Sequence, residues 1–363
     1  MRTLLGLMTV AFLTASVAAA DNPPADRAAT IKRIKADANK ASTVLEEQLQ
    51  EAKSDRETKT LELAYTTKVK ALLDDAVKVF TEVPTDEPAA VAAFFVFGYG
   101  TADQITAAGN QILKNNIADK RVKGAIAASS EYGELALPFL KDVAKKSTDT
   151  ENQAFAYFVI GRIYAEQSEE SGEKPELAQK TGKIAEGYFA LAAETNGTMK
   201  LGAKTTMAMA VKEDLYLLQN LAVGKLAPDI EGVGFDGTKT KLSSYRGKVV
   251  VLDFWKTTCG PCLAMIPTNR EIVKAMADKP FAFIGVNLDE NKAIGKRFVE
   301  DNNLTWPQWW SEDDAGAADV YRIRKYPSIF VIDAKGVIRY KHPHPRLLLS
   351  KVEVLVKEAE AKK

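Results

Sequence analysis

The stretch that most constrains this chain is Val249-Val250-Val251-Leu252-Asp253-Phe254-Trp255, which runs through Lys256-Thr257-Thr258 into Cys259-Gly260-Pro261-Cys262. A short β-branched and aromatic run with one acid in its middle suits a strand buried on both faces. From Pro261 to Met276 the residues Cys262, Leu263, Met265, Ile266, Ile272, Val273 and Met276 recur at mostly helical spacing, with Pro261 in the first turn and Pro267 at a predicted kink. The expectation is a buried strand that passes into a helix, with both cysteines of the chain at the junction.

Cys259 then stands at a helix N-terminus. There the unpaired N–H groups and the helix dipole favour a negative sulfur, and the thiol pKa should fall below the free value of about 8.5. Cys262, one turn further in, should be the less exposed sulfur that resolves a mixed disulfide. Lys256 reads as a solvated strand-end lysine, the alternative being a positive charge that helps the thiolate. Two other uses of the pair are weaker. A zinc site would need His342 and His344, the only histidines, which read instead as a solvated pair at a strand end. A purely structural disulfide would close so short a ring that it constrains little chain entropy.

Asp253-Phe254-Trp255 followed by Cys259-Gly260-Pro261-Cys262 resembles the thioredoxin active site, and residues 223–363 resemble the secreted TlpA-like branch of that family. Three further segments carry the likeness: a lead-in Gly224-Lys225-Leu226-Ala227-Pro228-Asp229, a hairpin ending in Leu242-Ser243-Ser244-Tyr245-Arg246-Gly247-Lys248, and Tyr326-Pro327-Ser328 ahead of Ile329-Phe330-Val331-Ile332-Asp333. The resemblance implies a thioredoxin-like α/β domain that exchanges dithiol and disulfide with partner proteins, without a cofactor. It implies that Pro327 is a cis-proline beside the cysteines and that the Tyr326 backbone receives the substrate chain. Asp253 would be the buried acid that moves the proton of the resolving thiol, and Glu290 an acid near the site. Trp255, Gly260 and Pro261 would join the substrate surface with Thr258, which stands where the family usually has tryptophan and leaves the ground beside Cys259 more open and polar. A peroxide-reducing relative would keep a threonine three residues before its reactive cysteine; Lys256 occupies that place.

At 363 residues the chain calls for two domains. The first twenty residues read as a secretory signal: Arg2, an apolar run from Leu4 to Val17, then Ala18-Ala19-Ala20. Cleavage there would leave an exported, soluble, periplasmic or extracytoplasmic protein; a membrane anchor is the alternative, though the run is shorter than the ~20 residues that span a bilayer. The 49 basic and 48 acidic side chains balance, so nothing points to nucleic acid or an acidic membrane surface. One cysteine pair in an exported chain points to chemistry rather than to a disulfide scaffold. Expected partners are disulfide-bearing or dithiol client proteins and a membrane-side electron donor, the oligomeric state being open.

Residues 21–222 should form an all-helical domain without a catalytic signature. Ile31, Ile34, Ala38, Ala41, Leu45, Leu49 and Ala52 make one amphipathic stripe and Leu61, Tyr65, Val69, Leu72, Ala76 and Phe80 a second, with Ser54 or Asp55 able to cap the second helix. Asp86 to Gly100 and Asp119 to Gly133 repeat their helix marks at an offset of 33 residues, so two-helix repeats of an α-solenoid stand beside an irregular bundle. Helices at 176–194 and 199–222 follow. In the C-terminal domain, Trp306 to Trp310 reads as an edge strand and 314–323 as a helix. The competing functional reading is an extracytoplasmic interaction scaffold whose helical domain binds partners, with the redox domain accessory.

Overall fold

The computed structural model describes residues 25–52, 54–171, 174–311 and 316–361. The secretory signal expected over 1–20 lies outside the described residues. The chain forms two compact units, Met1–Ala128 and Ser129–Lys363.

The first unit is helical: α1 (Ala25–Glu51), α2 (Asp55–Glu82), α3 (Glu87–Tyr99), α4 (Ala102–Asn115) and α5 (Val122–Ala128). The break between α1 and α2 comes from Ser54, whose side chain accepts the Glu57 N–H and caps α2. Ile31, Ile34, Ala38, Ala41 and Leu45 of α1 are buried, as their spacing requires. Asp86 caps α3 through the Ala89 N–H and pairs with the largely buried Arg27, which also donates to the carbonyls of Val79 and Val83, so one cation ties the start of α1 to the end of α2. The offset of 33 residues does not produce equal helices: α3 has 13 residues and α5 has 7. The chain after α5 turns into 3₁₀ segments at Ser129–Glu131 and Gly133–Ala136.

The second unit begins with α6 (Leu137–Lys146), α7 (Thr150–Glu170), α8 (Pro175–Asn196) and α9 (Met207–Tyr216). The helix expected from residue 199 starts only at Met207, because Thr206 caps α9 through the Met209 N–H and residues 199–206 form a loop closed by a Lys200–Thr206 bridge. A π turn, Leu217–Leu221, carries α9 toward the sheet. There the Tyr216 hydroxyl donates to the Val320 carbonyl at 2.9 Å, and Arg322 lies over the Tyr216 ring while pairing with Glu213.

The sheet elements follow in order: β1 (Glu231–Gly234), β2 (Lys239–Lys241), β3 (Val249–Trp255), α10 (Gly260–Ala275), β4 (Phe281–Asn287), α11 (Lys292–Asp301), β5 (Gln308–Trp310), α12 (Ala317–Val320), β6 (Ser328–Ile332), β7 (Ile338–Lys341) and α13 (Pro345–Glu360). The strand order is β2-β1-β5-β4-β3-β6-β7, with β3 parallel to β4 and antiparallel to β6. The tryptophan strand β5 is therefore interior, between β1 and β4, and not at an edge. Of the helix expected over 314–323, residues 314 and 315 lie outside the described residues; among the rest the helix covers Ala317–Val320, and Arg322 with a positive φ of 50° follows its end.

Alternation in β3 divides the core. Val250, Leu252 and Phe254 join Trp309, Tyr321 and Phe330 on one face, while Val249, Val251 and Trp255 join Cys262, Met265 and Ile272 of α10 and Leu348 and Val352 of α13 on the other. Among the described residues no helix is long and apolar enough to cross a membrane.

Tight packing of α7 on α8 has one point at which a side chain cannot be added. A Cβ at Gly161 would lie 2.6 Å from the Phe189 ring, which is fully buried. Gly161→Val should destabilise this unit by about 1–3 kcal/mol through overpacking, read as a lower midpoint in thermal unfolding followed by circular dichroism; an unchanged midpoint would show that the helices can separate freely at this point.

Candidate active site

Strand β3 delivers the chain to α10 through Lys256-Thr257-Thr258. Two anchors hold this connection: the Leu288 N–H donates to the Trp255 carbonyl at 3.0 Å, and the Thr257 N–H and hydroxyl both donate to Asp289 Oδ1 at 3.0 and 3.1 Å. Asp289 is itself buried and held on its other oxygen by the Asn287 amide. The chain therefore enters α10 in one defined path, with Cys259 as its N-cap.

Cys259 and Cys262 are joined as a disulfide with Cα atoms 5.3 Å apart. Cys259 Sγ accepts the Cys262 N–H at 3.1 Å, so the sulfur lies against the unpaired amides that open the helix. The two sulfurs differ in access: Cys259 is half-buried and Cys262 is 5% exposed, within the apolar face of α10. Thr258, Gly260 and Pro261 around them are exposed.

The Tyr326–Pro327 peptide is cis. Ser328 pairs with Phe254, and continuing that antiparallel register sets Pro327 beside the end of β3. Lys256 Nζ lies 5.2 Å from the centroid of the Tyr326 ring. This contact links the loop before Cys259 to the cis-proline loop and gives Lys256 a partner where the sequence suggested a solvated side chain.

Asp253 lies on the α10 face of β3. It is 5% exposed, and Asn269 of α10 donates its amide to Oδ2 at 3.3 Å. Burial raises the carboxyl from the ordinary value of 3.8 to about 7, the Asn269 hydrogen bond working in the opposite direction.

Comparisons with known proteins bear on residues that surround this site. Residues 223–341 match the AhpC/TSA family. The thiol-disulfide oxidoreductase ResA of Geobacillus kaustophilus is 33% identical over 119 residues, 33% of this chain and 68% of that protein. The thioredoxin-like protein YneN of Bacillus subtilis is 34% identical over 122 residues, 33% of this chain and 70% of that one. This chain belongs to the thioredoxin-like thiol-disulfide oxidoreductases. Among solved structures, the thioredoxin domain of a thiol-disulfide oxidoreductase from Bacteroides vulgatus is 30% identical, with 38% of this chain and 99% of that chain covered at a TM-score of 0.36.

In this oxidoreductase the residues named from the sequence sit at different depths. Trp255, grouped with the substrate surface, is 5% exposed; its indole N–H donates to Gln308 Oε1 at 3.1 Å and its ring packs on Phe298, so it supports the site from beneath. Glu290 is exposed, and the neighbouring acid Asp289 is the one that joins the cysteine loop. His342 and His344 are exposed just beyond the end of β7; Nδ1 of His342 also accepts the Ile329 N–H, and Nδ1 of His344 accepts the Arg346 N–H at the start of α13. Among the described residues no group of three or more His, Cys, Asp or Glu could hold a metal ion.

Asn269, Gln308 and Asp289 escaped the sequence reading. Asn269 has a legible signal, since it falls on the buried stripe of α10 with Cys262, Met265 and Ile272 and is the one amide there. Gln308 has none: it reaches over Gly285, where a Cβ would come within 2.2 Å of its oxygen, and only the register shows this.

The raised carboxyl of Asp253 makes stability depend on pH. The folded protein holds this proton between pH 3.8 and about 7 whereas the unfolded chain releases it, so the favourable contribution is complete below about pH 4 and is lost as pH rises through about 7. Asp253→Asn should therefore be more stable than the wild type at pH 8, by on the order of 4 kcal/mol at most, with the difference shrinking toward pH 4. Denaturant unfolding at the two pH values checks this; a difference that grows toward pH 4 would reverse the assignment.

Proposed function

We propose that this chain is an exported thiol-disulfide oxidoreductase that reduces disulfides in client proteins through Cys259 and Cys262. The observation that carries the reading is the inequality of the two sulfurs: Cys259 accessible at the N-terminus of α10, Cys262 buried one turn inside. Such a pair has an attacking sulfur open to a partner and a resolving sulfur that only its neighbour can meet.

In the proposed reaction the Cys259 thiolate attacks one sulfur of a client disulfide, and the other client sulfur leaves as a thiolate. The Cys262 thiol then gives its proton to Asp253, attacks Cys259 Sγ and expels the second client sulfur. Two electrons pass to the client, and the protein is left with the Cys259–Cys262 disulfide of this structure and a protonated Asp253. A membrane-side donor would restore the dithiol. In this reading exposed Thr258, Gly260 and Pro261 form the contact surface, and the backbone of Tyr326 beside cis-Pro327 receives an extended client segment. Gly260-Pro261 between the cysteines is the pair found in reducing thioredoxins, and the apolar run at residues 4–17 supports export.

Cys259→Ser should abolish insulin reduction, while Cys262→Ser should accumulate a mixed disulfide visible on non-reducing gels. If both variants reduce insulin as fast as the wild type, the assignment is wrong. A redox titration against dithiol buffers, read by tryptophan fluorescence, should give a midpoint near or below about −250 mV for a reductant. A value between about −180 and −120 mV would make the protein an oxidant or isomerase instead.

A further inference from the structure

The core beneath the cysteines holds more polar groups than packing needs. Asp253, Gly285 and Gln308 lie in one row across β3, β4 and β5, and their pairing puts the side chains on the α10 face. Asn269 meets the row from α10 and is 2% exposed. Asp253 Oδ1, Asn269 Oδ1 and Gln308 Nε2 are all buried without a hydrogen-bond partner. Orphaned buried atoms are costly, and a side chain such as leucine at position 269 would remove one of them.

We propose that Asn269 is a positioning residue for disulfide exchange: its carboxamide holds the Asp253 carboxyl on the α10 face and lets that acid both accept and return the proton of Cys262. The inference rests on the reading of Asp253 given above and deepens it. A carboxamide suits both states of the acid. Its N–H₂ donates to the carboxylate at Oδ2, as observed, and its carbonyl can accept from the carboxylic acid, which would also satisfy Asn269 Oδ1. A residue that only donates or only fills space would freeze the acid in one form.

Among the described residues, Asn269 is the side chain that hydrogen-bonds Asp253. Its partners across the sheet are Gly285 on β4 and Ile329 on β6. From α10 the buried face brings Cys262, Met265, Asn269 and Ile272, and from α13 Leu348, Val352, Leu355 and Val356, so the titratable member of the set is the Cys262 thiol of the reduced protein. The direction of the Asn269 effect agrees: burial raises the carboxyl, and the amide works the other way, toward the ordinary carboxyl range.

The test is a carboxyl-carbon NMR titration of aspartate-labelled full-length protein, with Asp253→Asn assigning the resonance. Asn269→Leu should move the Asp253 titration upward by about one unit or more, and Cys262-dependent release of a pre-formed mixed disulfide at pH 7 should slow by roughly 10-fold while its pH profile moves the same way. Asn269→Ala removes the amide without adding volume and gives the same reading should leucine disturb packing. An Asp253 titration unmoved in both variants overturns the proposal while the exchange reaction stands. Full activity of Cys259→Ser overturns the exchange reaction instead, and a moved titration would still establish the Asn269–Asp253 coupling.

Discussion

Burial of β3 on both faces is the constraint on which the C-terminal half depends. All seven of its residues are buried, so its backbone groups must be met by neighbouring strands and its side chains by layers on either side. Parallel β4 and antiparallel β6 meet the first requirement, and two apolar clusters meet the second. The strand can then end only where the sheet ends, and there the Asp289 carboxylate takes up the Thr257 N–H and α10 begins. The position of Cys259 is a consequence of that geometry.

The same burial gives Asp253 its character. An acid in the middle of a two-sided strand has no route to water, and its carboxyl is raised to about 7 because the charged form has lost its solvent. Packing alone would favour a hydrocarbon side chain here. The row of Asp253, Gly285 and Gln308, which Asn269 meets from α10, places polar groups on the face that also carries the buried sulfur, at some expense in stability.

The helical part serves the two compact units differently. Helices α1 to α5 form a unit of their own, closed by the buried Arg27 between Asp86 and the end of α2. Helices α6 to α9 belong with the sheet, and Tyr216, Glu213 and Arg322 join them to the α12 region. Likeness to the AhpC/TSA family begins at residue 223, whereas the compact unit that carries it begins at Ser129. Family likeness follows the chemistry of the sheet; compactness follows where apolar surface is covered.

Local pattern by itself determined much of this protein. Helical stripes, the caps at Ser54 and Asp86, and the run from β3 into Cys259-Gly260-Pro261-Cys262 are legible because they depend on residues a few positions apart. Failures of the reading share one cause. That β5 is interior, that Asp289 holds the cysteine loop, that Trp255 lies beneath the surface and that Asn269 meets Asp253 all depend on partners 16 to 77 residues away. Strand order and register set those partners, and spacing within one segment carries no information about either. The tertiary structure alone decided that Asp289 is buried while Glu290 beside it is exposed, because desolvation is a property of everything packed around a side chain and not of its neighbours in the chain.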